Sequence, residues 1–157
     1  MLSHARTEME VLKELASDEK AYRSLTLSWF KNSPIRNSLQ ALAEKDIKLF
    51  ITTDHGTIRV SNPTKVLADR ETTTNLRYKV GKNLNYNAKD VLAVGDPHSI
   101  GLPRPNISSK FIFAIEDQFF LYPNNYNHYN RMYTDTFQHG GISMEEVICP
   151  FIVLNCK

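Results

Sequence analysis

The 157-residue chain has only two cysteines, Cys149 and Cys156, which excludes a disulfide scaffold and a zinc site built from four thiolates. Six glycines and seven prolines are too few for collagen-like or linker sequence. No apolar run approaches the roughly 18 residues that span a bilayer. Nor is there a dominant charge: 19 Lys and Arg against 17 Asp and Glu leave a formal +2. That balance is too mild to argue for nucleic acid or an anionic membrane. The opening residues, Met1-Leu2-Ser3-His4-Ala5-Arg6-Thr7-Glu8, lack the basic region and apolar stretch of a secretory signal. With two unpaired-looking thiols, this points to the cytoplasm.

What is present suits a folded chain. Hydrophobic residues make up 41% and charged residues 23%, over a length that predicts one domain with a sizeable core. Leu2, Ala5, Met9, Leu12 and Ala16 recur at helical steps. Asp18 is a candidate N-cap for a second helix that buries Tyr22, Leu25 and Trp29. Ser33 and Pro34 begin a third, reaching about Glu44. The segment 47–53 is β-branched and nearly continuous in apolar character, as in a central strand covered on both faces. Residues 57–60 and 90–94 read as further short strands. Residues 110–115 and 118–122 read as a hairpin around Glu116-Asp117, and 123–137 are ambiguous. Ser143-Met144-Glu145-Glu146 is a capping box, and 151–154 form a last strand. Residues 61–90 have few periodic apolar positions and are expected to be a long irregular excursion.

Chemistry concentrates in three places. Asp54 and His55 sit at the carboxyl end of the expected central strand, where open α/β sheets bind ligands. Carboxylate and imidazole are zinc ligands, and Gly56 lets the backbone turn behind them. His139 precedes Gly140-Gly141 and the capping box, so a tight turn would present its imidazole at a sheet edge. Within residues 59–82, Arg59, Lys65, Arg70, Arg77, Lys79 and Lys82 outnumber Asp69 and Glu71, an excess that suits an anionic substrate. At its centre, Arg77, Tyr78 and Lys79 are candidates to hold a nucleotide phosphate and stack a base. His4 lies off the apolar stripe of the first helix, and His98 and His128 carry no assignment.

Ile51-Thr52-Thr53-Asp54-His55-Gly56 resembles the metal motif T-S/T-D-H-G of the alkaline phosphatase superfamily. The stretch Phe137 to Glu146, with Pro150 behind it, resembles that superfamily's H-G-G-x-S-x-E-E…P motif, in matching order. The nearest resemblance is to the PglZ domain, in the form that ends PorX-type response regulators. The opening residues resemble the PglZ helix with an Asp-x-x-x-His metal pair, His4 taking the histidine's place.

The resemblance implies a three-layer α/β/α sandwich of alkaline-phosphatase type, truncated at its N-terminus, with residues 1–157 as the C-terminal part of one domain. It implies two zinc sites, incomplete in this chain: His4 and His139 at one, Asp54 and His55 at the other. Two Asp ligands and a nucleophilic Thr are expected upstream of Met1. The bookkeeping agrees, because two adjacent catalytic zincs need roughly six to eight ligands and only these four can be nominated. Glu145 or Glu146 could steady a ligand imidazole, although capping is the simpler role for Glu146.

The implied function is phosphoryl transfer on phosphate esters of nucleotide type, in the output domain of a response regulator with an upstream receiver domain. This chain alone is expected to be inactive, and a homodimer is possible in such a family. An alternative from another class is a non-catalytic module that binds a ligand or partner through the same pocket. A nucleic-acid-binding domain, resting only on the basic excursion, is the weakest.

Overall fold

The computed structural model describes Val11, residues 15–69 and residues 72–156. The first expected helix falls largely outside the described residues, as do His4, Arg70 and Glu71. Two units emerge: Met1–Asp54 with Cys149–Lys157, and His55–Ile148.

In the first unit, helix α1 spans Glu19–Asn32. The Asp18 carboxylate accepts the Ala21 N–H at 2.7 Å and so satisfies one of the unpaired amides of the first turn. Helix α2, Pro34–Ala43, begins directly after Ser33, with Pro34 where a missing N–H does no harm. Ser33 turns its hydroxyl back to the Phe30 carbonyl at 3.1 Å and closes α1 rather than capping α2. Strand β1, Lys48–Thr52, runs antiparallel to the terminal strand β9, Phe151–Asn155, with Phe50 opposite Val153.

The expectation of a strand covered on both faces is not met within this unit. Among the described residues β1 pairs with β9 alone, and Phe50 and Phe151 are 56% and 67% exposed. Both faces of the ladder are apolar, with Phe50 and Phe151 on one and Ile51 and Ile152 on the other.

The second unit holds three small sheets. Strand β2, Ile58–Val60, pairs antiparallel with β8, Thr136–Gln138. Strand β3, Asn62–Lys65, runs parallel to β7, Gln118–Leu121. Strand β6, Lys110–Ala114, lies between β4, Tyr78–Gly81, and β5, Val91–Val94, antiparallel to both. Helix α3 is Tyr126–Tyr133 and helix α4 is Met144–Val147. A short 3-10 turn, Pro97–Ile100, follows Asp96. The architecture is mixed α/β, with small sheets and four helices among the described residues. None of these helices is long and apolar enough to cross a membrane.

The period of two along a strand builds the core. Phe119 and Leu121 of β7 join Val60 in one buried cluster, while Phe120 between them joins Val66, Val91, Ile112 and Ala114 in another. One strand therefore fills two adjacent clusters with alternate side chains.

Two local expectations change. Strands β6 and β7 follow one another through Glu116-Asp117 but do not pair as a hairpin. The turn lacks glycine, and Glu116 takes a left-handed φ of 46°. Asp117 instead draws β7 to β3: its carbonyl accepts Ser61 and Asn62 amides, and its carboxylate binds both side chains. The excursion at 61–90 contains β3 and β4, and Leu67 and Asn85 form a further bridge. Its strands read Asn-Pro-Thr-Lys and Tyr-Lys-Val-Gly, so no apolar alternation announces them.

Phe120→Ala is expected to cost about 3–5 kcal/mol, as for other large core truncations. Phe151→Ala, at 67% exposure, should stay within about 1 kcal/mol of the parent. Denaturant unfolding monitored by circular dichroism checks both.

Candidate functional site

The two glycine motifs meet within the second unit. The His55 and His139 rings stack with centroids 4.0 Å apart and planes 9° from parallel. His55 leads into β2 and His139 follows β8, so the β2–β8 ladder, with Ile58 opposite Gln138, brings the rings side by side. The His55 Nδ1 lies 2.8 Å from the Gly56 carbonyl oxygen. A carbonyl only accepts, so Nδ1 is the donor in this contact, and in a neutral imidazole Nε2 is then the nitrogen left to ligate a metal.

Backbone approach explains the glycines. The Gly56 N–H donates to the Glu146 carbonyl at 2.8 Å, and a Cβ on Gly56 would collide with the Glu145 carbonyl oxygen. Gly140 adopts φ 102°, a region open to glycine, with the Asn75 side chain against it. Asn75 donates to the His139 carbonyl at 3.3 Å. It also accepts the Arg77 N–H at 2.7 Å. The histidine turn is thereby tied to the start of β4.

Behind that turn lies a buried ion pair. The Arg77 Nε donates to Glu146 Oε1 at 3.0 Å and its Nη2 to Oε2 at 2.9 Å, with the two side chains 0% and 1% exposed. The other Arg77 amino group donates to the Gln118 carbonyl. Glu146 also accepts the Gly141 and Ser143 amides at 2.8 and 3.2 Å. Burial pushes its pKa up, but the Arg77 and Gly141 hydrogen bonds and the Arg77 charge outweigh this and leave it lowered.

The nominated residues do not all come together. His55 and His139 do. Asp54 belongs to the first unit and precedes His55 by one peptide bond; its carboxylate accepts from Thr53 at 3.4 Å. His4 lies outside the described residues. Among those described, no group of three or more His, Cys, Asp or Glu side chains is arranged to hold a metal ion. His55 and His139 are of a donor type that zinc accepts, but they are two donors only.

Arg77, Tyr78 and Lys79 do not make one substrate patch. Arg77 is consumed by Glu146, and Tyr78 and Lys79 line different cavities, as neighbours on a strand should. The basic excess is dispersed in the same way. Arg59 pairs with Asp135 at 3.3 Å, and Lys65 sits 5.0 Å from the Tyr126 ring centroid. Sequence reasoning missed Glu146 as the partner of Arg77, and Asn75 and Thr72 altogether. Arg77 and Glu146 lie 69 positions apart, and Asn75 and His139 lie 64 apart, so nothing in local spacing marks these contacts.

Glu146 titrates lower folded than unfolded, so its contribution is present above the ordinary carboxylate range and lost as pH falls through the folded value. Asp117, lowered by its Ser61 and Asn62 hydrogen bonds, acts in the same direction. Stability should therefore drop on acidification below the usual carboxylate range. Glu146→Gln should cost about 3–5 kcal/mol at neutral pH by leaving Arg77 buried and unpaired, and should flatten that acid dependence. Denaturant midpoints across a pH series test both statements.

No curated protein matches the chain. Residues 1–154 match the family described as the BREX system PglZ alkaline phosphatase-like domain. A phosphoesterase-type fold accords with the two glycine motifs and with the histidines they place side by side. The chain belongs to the PglZ family of alkaline phosphatase-like domains.

Proposed function

We propose that the chain is part of a zinc-dependent phosphohydrolase acting on phosphate esters of nucleotide type. The observation that carries this reading is the stacked pair of His55 and His139, one from each motif. Stacked imidazoles keep their in-plane lone pairs in two parallel planes. They cannot both aim in-plane at one ion, and suit neighbouring ions better than a chelate of one. In this reading His55 would serve one zinc and His139 the other, with Asp54 and His4 as the co-ligands that the family resemblance implies.

The remaining two Asp ligands and the nucleophilic Thr would come from residues outside this chain, so the chain alone would be inactive. When bound, zinc would act as a Lewis acid on the phosphoryl group. The chain's own contribution is to hold two imidazoles in position, the tautomer of one set by the Gly56 carbonyl. In this reading residues 1–157 form the C-terminal part of one three-layer α/β/α domain. That domain would be the cytoplasmic output module of a PorX-type response regulator with an upstream receiver domain.

Zinc titration followed by metal analysis tests the ligands. His55→Ala and His139→Ala should each weaken zinc retention at least about tenfold, a loss of roughly 1.4 kcal/mol or more. Bis(4-nitrophenyl) phosphate should remain intact with the chain alone and be hydrolysed when the preceding coding sequence is joined to it. Zinc retained without hydrolysis by that longer protein would instead favour a ligand- or partner-binding module. Zinc retention unchanged by both histidine substitutions would remove the metal reading.

A further inference from the structure

We propose that a cavity floored by Lys79 binds a small carboxylate or phosphate carried on an apolar or aromatic body. The inference does not rest on the zinc reading, since neither His55 nor His139 lines the cavity. Its volume is about 640 Å³, within the roughly 300–1,000 Å³ typical of small-molecule sites. Lys79 is 1% exposed. Its ammonium donates to the Thr73 carbonyl at 3.1 Å and sits 4.5 Å from the Tyr122 ring centroid. Among the described residues no carboxylate pairs with it.

A buried cation without an anion is unfavourable in a folded protein. Two positions earlier Arg77 has Glu146, so the described residues supply a counter-charge to one buried cation and not to the other. One of the three ammonium N–H groups is spent on Thr73.

A second observation points the same way. Thr72 is 7% exposed, its hydroxyl has no hydrogen-bond partner, and it stands between this cavity and the one beside Tyr78, lining both. An unsatisfied buried hydroxyl and an uncompensated buried ammonium are both answered by an anionic oxygen. Most of the remaining wall is apolar or aromatic, including Leu76, Phe120 and the stacked rings of Tyr129 and Tyr133, centroids 6.1 Å apart, with Thr74 and Asn124 as its polar members. Asp69, also lining the cavity, is exposed and accepts from Asn83 at 2.8 Å. Its charge disfavours a highly charged ligand and favours a monoanion. Burial lowers the Lys79 pKa to about 8, and a bound anion would raise it again.

The test is calorimetric titration of the full chain, with a chelator present so that no metal takes the anion. The probes are phenylphosphonate, benzoate and the neutral benzamide. One of the two anions should bind at least about tenfold more tightly than benzamide, and the preferred one tells phosphate from carboxylate. Lys79→Met removes an uncompensated charge, so it should fold and lose the anion preference. Thr72→Val should weaken binding several-fold. In the unaltered chain the Lys79 ε-methylene carbon resonance should titrate at higher pH with the anion present, a readout that needs no variant to fold. Equal binding of benzamide and the anions, no anion binding at millimolar concentration, undiminished binding by Lys79→Met, or an unmoved Lys79 titration would each overturn the proposal.

Discussion

The second unit depends on Arg77 and Glu146 holding each other out of water. Either charge alone would be strongly unfavourable at that depth, so the pair exists only if both partners arrive with their hydrogen bonds complete. The guanidinium meets this by spending its donors on two carboxylate oxygens and the Gln118 carbonyl. The carboxylate meets it by also taking the Gly141 and Ser143 amides. Those two amides belong to the turn that follows His139. The ion pair therefore fixes the path of the chain leaving the histidine, and the Gly56 contact to the Glu146 carbonyl fixes the chain leaving the other. The ring stack is the visible result of backbone constraints on both sides.

This arrangement gives the motif residues separate tasks. The histidines present nitrogen donors, and the glycines permit close approach. Glu146, which opens as a capping residue in the sequence, is the anchor beneath them. A helix of only four residues, Met144–Val147, would be marginal by itself. Here its N-terminal amides and its buried carboxylate are engaged with the turn before it, so its position is set by tertiary contacts.

Much of the local structure was legible where side-chain chemistry acts over three or four residues. Asp18 as a cap and Ser33-Pro34 as a helix boundary are found as expected, and of the Ser143–Glu146 box the half in which Glu146 accepts the Ser143 amide is formed. The pairing of the glycine motifs was legible as well, through resemblance to a family whose description now covers nearly the whole chain. What could not be read were long-range choices. Asp117 looks like a turn residue in a hairpin, but it recruits Ser61 and Asn62 and so decides that β7 pairs with β3. Strand β4 looks like a solvated basic loop because its buried side chains include Lys79, just after Arg77. Burial of such residues depends on partners or cavities that spacing does not reveal.

The two buried cations near β4 then separate by chemistry. Arginine stays charged and presents a planar fork, which suits a permanent bidentate partner such as Glu146. Lysine is a point charge whose protonation yields readily to its surroundings, and burial has already lowered the pKa of Lys79 to about 8. If Lys79 served only to hold the fold, an apolar chain of the same length would do so without the desolvation cost. Keeping an ammonium beside a roomy cavity, a Tyr122 ring and an unsatisfied Thr72 hydroxyl makes structural sense when something anionic completes the set. Neighbouring positions, one just before β4 and one within it, thus supply one cation that is finished by the protein itself and one that is finished from outside it.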